Sequence, residues 1–143
     1  VRSRGLGDVY KRQHTHREKA LAAAEQKAAN RLTEAERKAA VKRAAQMLAE
    51  KTAHFAKEMG VTYGRITIRE QKTRWGSCSS AGNLNYNWKL VLMPERVMDY
   101  VVIHELAHQK EMNHSARFYA VVAQQMPDYK VWQSWLKEHG REY

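Results

Sequence analysis

The sequence predicts an α+β fold in which a small antiparallel sheet packs on a central helix and a helical extension precedes both. Three observations carry that expectation. Residues 14–59 contain neither Gly nor Pro and are dominated by Ala, Lys, Glu and Arg, strong helix formers. Residues 61–93 switch to alternating apolar and polar side chains, the period of a strand. Residues 95–112 again lack Gly and Pro and are apolar on most sides, as a central helix must be. With 143 residues and 43% apolar composition, the chain has material for one core.

Taken in order, Val1–Gln13 shows no hydrophobic period and no charged n-region followed by an apolar h-region, so it does not read as a signal peptide. It resembles translated sequencing-adaptor sequence, and 1–13 is expected to be a non-native or disordered tail. A helical segment follows over 14–60. Thr15-x-x-Glu18 and Thr33-x-x-Glu36 each have capping-box spacing, which predicts two helices or one broken one. Only the second has a stripe to bury: Val41, Ala44, Leu48, Thr52, Phe55 and Met59. Gly60 stops it.

The third unit, 61–143, opens with strands. Ile66 and Ile68 alternate with polar neighbours, and Leu84, Tyr86, Trp88, Leu90 and Leu92 share one face. The turn-rich run between Trp75 and Leu84 joins Arg74–Ser79 to Asn83–Leu92 as a hairpin. Pro94 suits a helix start with the run continuing to about Met112, and shorter helices are expected from Ser115 to about Met126 and from about Asp128 to Glu138, separated by Pro127.

Composition narrows the function classes. No apolar run approaches the roughly 20 residues of a membrane-spanning helix, so no membrane partner is expected. The single Cys78 excludes a disulfide within the chain and a metal site built on several thiolates, so a tightly held metal must use His and carboxylates. The formal charge is +10, with +7 of it in residues 1–60. That excess favours acidic partners, nucleic acid among them, although a basic helix face is more often solvated surface.

His104-Glu-Leu-Ala-His108 is the one sharp chemical signal. At i and i+4 on a helix both imidazoles point the same way, one turn apart, ready to share a divalent metal such as zinc. Glu105 lies one step around the helix, where its carboxylate reaches a metal-activated water rather than the metal, the position of a general base. The motif follows directly on Val101-Val102-Ile103, and burying such polar groups is costly unless a metal satisfies them. His114, six residues past His108, can supply a third nitrogen and leave an open fourth position. His14, His16, His54 and His139 have no partner at ligand spacing in the sequence.

The His108 to His114 distance also matches the metzincin pattern, but Glu111 stands where metzincins carry Gly. The helix is therefore expected to end near Met112–Asn113, with Asn113 tolerating a left-handed backbone and Ser115 capping the next helix. Arg117 and Tyr119 are candidates for stabilising developing negative charge, with surface or packing roles as the ordinary alternative. Trp75 and Cys78 are assigned packing. The four tryptophans interleave with basic residues but fall at core spacing.

Arg74-Trp-Gly-Ser-Cys78, Asn83-Leu-Asn-Tyr-Asn-Trp88, His104-Glu-Leu-Ala-His108 and Asn113-His-Ser-Ala-Arg-Phe118 resemble, in this order, the motifs of the YgjP-like metallopeptidases, relatives of the SprT-like proteases. The likeness runs from about Gly60 onward. It implies a minimal zincin-like domain: a small sheet on the active-site helix, Zn2+ held by His104, His108 and His114, and Glu105 as catalytic base. Members of the family usually carry an additional β-rich N-terminal region, which is not recognised in this sequence, so a shortened N-terminus is expected.

The function expected is therefore that of a cytoplasmic zinc-dependent metallopeptidase that hydrolyses peptide bonds with a zinc-activated water. Its peptide or protein substrate would lie extended along the free edge of the hairpin strand. Two alternatives use the same residues differently: a metal-dependent hydrolase of nucleotides or phosphate esters, for which the positive charge would be useful, and a nucleic-acid-associated protease-like module, supported only by the basic upstream helices.

Overall fold

Thr33 begins the first long helix by the reciprocal bonding its sequence predicts. In the computed structural model, which describes residues 17–18, 32–72 and 74–143, Thr33 Oγ1 accepts from the Glu36 amide at 3.1 Å, and Glu36 Oε1 accepts from the Thr33 amide at 3.3 Å. The helix, α1, runs Glu34–Met59 and closes on Gly60 in the left-handed region at φ 69°. Ala40, Ala44, Leu48, Thr52, Ala56 and Met59 form its buried ridge, with Val41 and Phe55 half-buried beside it. The four-residue spacing and small side chains let α1 lie close on the domain. Leu48 alone, fully buried, contributes about 1.5–3 kcal/mol by the usual scale of apolar burial. The helix expected from Thr15 lies outside the described residues except for Arg17 and Glu18, which are helical.

Strands β1 (Ile66–Arg69), β2 (Gly76–Cys78) and β3 (Leu84–Asn87) form one sheet in the order β1-β3-β2. The α+β class is as expected, but the sheet is mixed rather than antiparallel. The β2–β3 hairpin is antiparallel, with Ser77 opposite Asn85, whereas β1 lies parallel to β3, with Ile66 opposite Leu84. Alternation within a strand defines which face is buried but not which direction its neighbour runs.

The third strand is also shorter than its alternation suggests. It stops at Asn87, and Trp88–Leu92 is a 3-10 helix. Asn87 makes the break: its Oδ1 accepts from the Lys89 amide at 3.0 Å, capping the new turn, while its Nδ2 donates to the carbonyls of Gln71 and Arg74. Trp88 and Leu90 remain buried.

Helix α2 (Glu95–Ala107) runs through the middle of the domain, with Val97, Val102, Leu106 and Ala107 fully buried. It packs against α1, β2 and the last two helices, α3 (Ala116–Gln125) and α4 (Tyr129–His139). Lys51 of α1 ties the two long helices together, donating to Glu95 Oε1 at 2.8 Å and Asp99 Oδ1 at 2.6 Å. Glu70 anchors the end of β1 by accepting from Trp88 Nε1 at 2.7 Å and pairing with Arg37, whose guanidinium also lies 5.3 Å from the Trp88 ring centroid. Among the described residues, no helix is long and apolar enough to cross a membrane.

Candidate metal centre

Two of the three expected ligands come from one helix face and the third from the chain reversal that follows. α2 ends at Ala107, about one turn earlier than expected, with His108 as its C-cap. Tighter turns continue from there: the amides of Gln109 and Lys110 donate to the carbonyls of Leu106 and Ala107. The exit requires no left-handed residue, since every positive φ among the described residues belongs to a glycine, so the expectation for Asn113 is not met. His108 Nδ1 instead bonds the Glu111 carbonyl at 3.1 Å, and the Ser115 amide bonds the Asn113 carbonyl at 2.8 Å, folding the chain around His114. Ser115 then caps α3, its hydroxyl accepting from the Phe118 amide at 3.3 Å.

The outcome is a triangle of imidazoles. Ring centroids are 5.2 Å apart for His104 and His108, 5.1 Å for His104 and His114, and 4.8 Å for His108 and His114. One nitrogen from each lies within 4.8 Å of the others, a spread that suits a shared divalent cation, and three neutral imidazoles are a donor set zinc accepts. A carbonyl can only accept, so His108 Nδ1 is the donor in its bond to Glu111, leaving Nε2 with a free lone pair. His104 Nδ1 faces Glu105 Oε2 at 3.2 Å, which leaves Nε2 as its unengaged ring nitrogen. Burial and the neighbouring His104 and His108 hold the His114 imidazole below its ordinary pKa, favouring the neutral ligand form.

Phe118, fully buried, stands behind all three rings, at 4.9 Å from His104, 4.5 Å from His108 and 5.0 Å from His114. Sequence reading gave it no role. Its position three residues past Ser115, on the first turn of an amphipathic helix, was the available signal.

A cavity of about 370 Å³ opens over the triangle, lined by the three histidines, Glu105, Arg74 and the edge strand Gly76–Cys78. Glu105 is buried to 6% exposure, beside the imidazoles. β2 is the sheet's edge, and the pairs of Trp75 with Asn87 and of Ser79 with Asn83 are hydrogen-bonded. Because such pairs alternate, Ser77 also bonds inward, and the backbone groups of Gly76 and Cys78 point to the open side.

Cys78 lines the cavity but stands outside the ligand group, its thiol pushed up by burial and by the Glu105 carboxylate. Arg117 is exposed and does not line the cavity, and Tyr119 stacks on Tyr129 with its ring 6.3 Å from His114. Arg74, not singled out for charge from the sequence, occupies the cavity wall instead. His139 has neighbours the sequence spacing hid: Glu18 Oε2 at 3.8 Å and Glu138 Oε2 at 4.0 Å.

A model of the YgjP-like metallopeptidase domain matches residues 5–139, reaching well upstream of the motifs that carry the resemblance. No curated protein matches the chain. The fold is similar to the crystal structure of the metallopeptidase zymogen abylysin of Pyrococcus abyssi, at 24% identity and TM-score 0.59 over 66% of this chain and 96% of that one. It is also similar to the zymogen jannalysin of Methanocaldococcus jannaschii, at 19% identity and TM-score 0.50 over 59% and 90%.

Proposed function

The chain belongs to the YgjP-like metallopeptidase family, and from that premise we propose that it is a zinc peptidase whose metal is held by His104, His108 and His114 and whose general base is Glu105. The observation that carries the reading is the convergence of three imidazole nitrogens within 4.8 Å beside a buried carboxylate and a free strand edge. A zinc ion held by those nitrogens supplies Lewis acidity, lowering the pKa of a water to about 7 and polarising a carbonyl.

The chain's own groups do the rest. The outward N–H and C=O of Gly76 and Cys78 pair with an extended peptide, which holds its backbone across the cavity irrespective of side chains. Glu105 accepts the proton of the attacking water at its carboxylate and returns it to the amine nitrogen as the peptide bond breaks. Its low exposure, 6%, limits its contact with bulk water. Arg74, on the cavity wall, is placed to attract the developing negative charge.

Metal content and hydrolysis of an unfolded protein such as casein test the reading together. The wild-type chain should carry zinc and cleave; His104→Ala, His108→Ala or His114→Ala should lose the metal. Glu105→Gln should keep the metal and lose cleavage by about 1000-fold or more, the scale of removing a general base and its electrostatic role. Casein cleavage surviving in Glu105→Gln overturns the assignment.

A further inference from the structure

The metal cavity does not end at Arg74. A second cavity of about 220 Å³ shares Arg74, Gly76, His104 and Glu105 with it and continues along Trp75, Tyr100 and Leu136. Those three residues in turn belong to a third cavity, of about 480 Å³, whose rim carries Lys72, Lys137 and Arg141. One groove therefore leads from the imidazoles to a cationic pocket with an aromatic floor.

Among the described residues no carboxylate lines that pocket, and Glu105 is the only one along the groove. Lys72, Arg74, Lys137 and Arg141 make no ion pair among the described residues, whereas Arg37, Lys51 and Arg96 do. The pocket gathers three such cations, Lys72, Lys137 and Arg141, around one concavity. Lys137, on the last turn of α4, and Arg141, in the 3-10 turn Gly140–Glu142 that follows it, line the pocket from one side, and Lys72 does so from the connection between β1 and β2. Strand β2 runs from Gly76, next to Trp75 on the pocket's floor, to Cys78, over the metal cavity. A peptide paired with that strand must send the residues on one side of its scissile bond over the pocket.

We propose that this pocket is a specificity site for acidic residues, so that the enzyme selects peptides carrying Glu or Asp on one side of the cut. This rests on the peptidase reading above. The lysine and arginine heads bind the carboxylates, and Trp75, Tyr100 and Leu136 cover the methylene stems. Two such exposed contacts give roughly tenfold selectivity, which salt weakens.

Two arms test it on the zinc-loaded protein. In the first, a fixed central sequence is flanked by Glu-Glu or Lys-Lys, upstream or downstream of the cut. The acidic version should have a roughly tenfold higher kcat/KM at one flank only. The double change Lys137→Glu and Arg141→Glu should invert that ratio, while Lys42→Glu, on α1 and lining none of the three cavities, should not move it. In the second arm the same peptides bind to Glu105→Gln without being cut. Tighter binding of the acidic peptide with no cleavage by wild type would sustain the pocket and sink the peptidase reading. Equal cleavage of both peptides, or an equal response to Lys42→Glu, overturns the pocket alone. A nucleoside triphosphate that binds Glu105→Gln more tightly than the acidic peptide, and is weakened more by the double change, also overturns it.

Discussion

Gly76 lies so close to Glu105 that a Cβ on it would meet Oε2 at 3.1 Å, Cγ at 3.1 Å and Val101 Cγ1 at 3.0 Å. The edge strand and the Glu105 carboxylate are therefore fitted to each other without a side chain between them. Gly76→Ala must push the carboxylate or the strand aside by a few tenths of an ångström. Displacements of this order at a reacting group cost ten- to hundredfold in rate. The expected result is a kcat/KM lower by about that factor with zinc content unchanged, since the atoms nearest the added Cβ belong to Val101 and Glu105 and not to a histidine. Full activity in Gly76→Ala would show that the contact relaxes harmlessly.

Phe118 should matter to the metal although it holds no donor. Among the described residues it is the one ring in contact with all three imidazoles, so Phe118→Ala removes the wall against which each is oriented. Stability should fall by about 3–5 kcal/mol, the cost of emptying a buried phenylalanine site. Zinc affinity, titrated against a chelator below the melting temperature, should fall about tenfold or more, as when supporting contacts of ligands are lost. Phe118→Leu, which keeps most of the volume, should recover much of both. An unchanged zinc affinity in folded Phe118→Ala would confine the residue to packing.

Beneath the sheet, Thr52 and Tyr86 share a buried hydrogen bond of 3.0 Å, and burial pushes the Tyr86 phenol well above its ordinary pKa. Each single change strands the other hydroxyl. Thr52→Val and Tyr86→Phe should each cost about 1–3 kcal/mol, and the double variant less than their sum by about 1 kcal/mol. Denaturant midpoints of the four proteins measure this, and strict additivity would mean that the bond contributes nothing.

The site was more legible in the sequence than the sheet. The spacing of His104 and His108 fixes their shared face on any helix, and Ser115 marks the start of the next one, so His114 falls between two elements whose directions it inherits. The early end of α2 was hidden because Gln109, Lys110 and Glu111 are good helix formers; what turns the chain is a side chain, His108, bonding the Glu111 carbonyl. In the same way Asn87 ends β3 by bonds to Gln71 and Arg74, far away in sequence. The parallel pairing of β1 left no trace at all, since Ile66 and Ile68 alternate alike in either direction. Arg74 entered the site through tertiary packing, which no local period records, whereas the helical position of Phe118 marked it as buried but not what it would be buried against.

The bond from Lys51 to Asp99 and Glu95 gives a pH-dependent contribution whose sign can be worked out. Burial by itself would depress the lysine, but its hydrogen bonds with Asp99 and Glu95, and their charges, carry it above the ordinary 10.5. The hydrogen bond from Lys51, reinforced by its charge, holds the Glu95 carboxyl below the ordinary 4.5. A raised lysine stabilises the fold fully below its unfolded pKa and ceases to as pH climbs through the higher folded value. A lowered carboxyl stabilises above its unfolded pKa and ceases to as pH drops through the lower folded value. The stability difference between wild type and Lys51→Met should thus form a plateau from about pH 5 to pH 10 and shrink at both ends. On the plateau it should be about 1–2 kcal/mol, because Lys51 and Asp99 are 16% and 10% exposed and Asp99 keeps Arg96 at 3.4 Å as a second partner. Melting curves of both proteins across pH, at constant ionic strength, give the profile. A difference that grows toward acid would show that the methionine variant fails for reasons other than the lost charge.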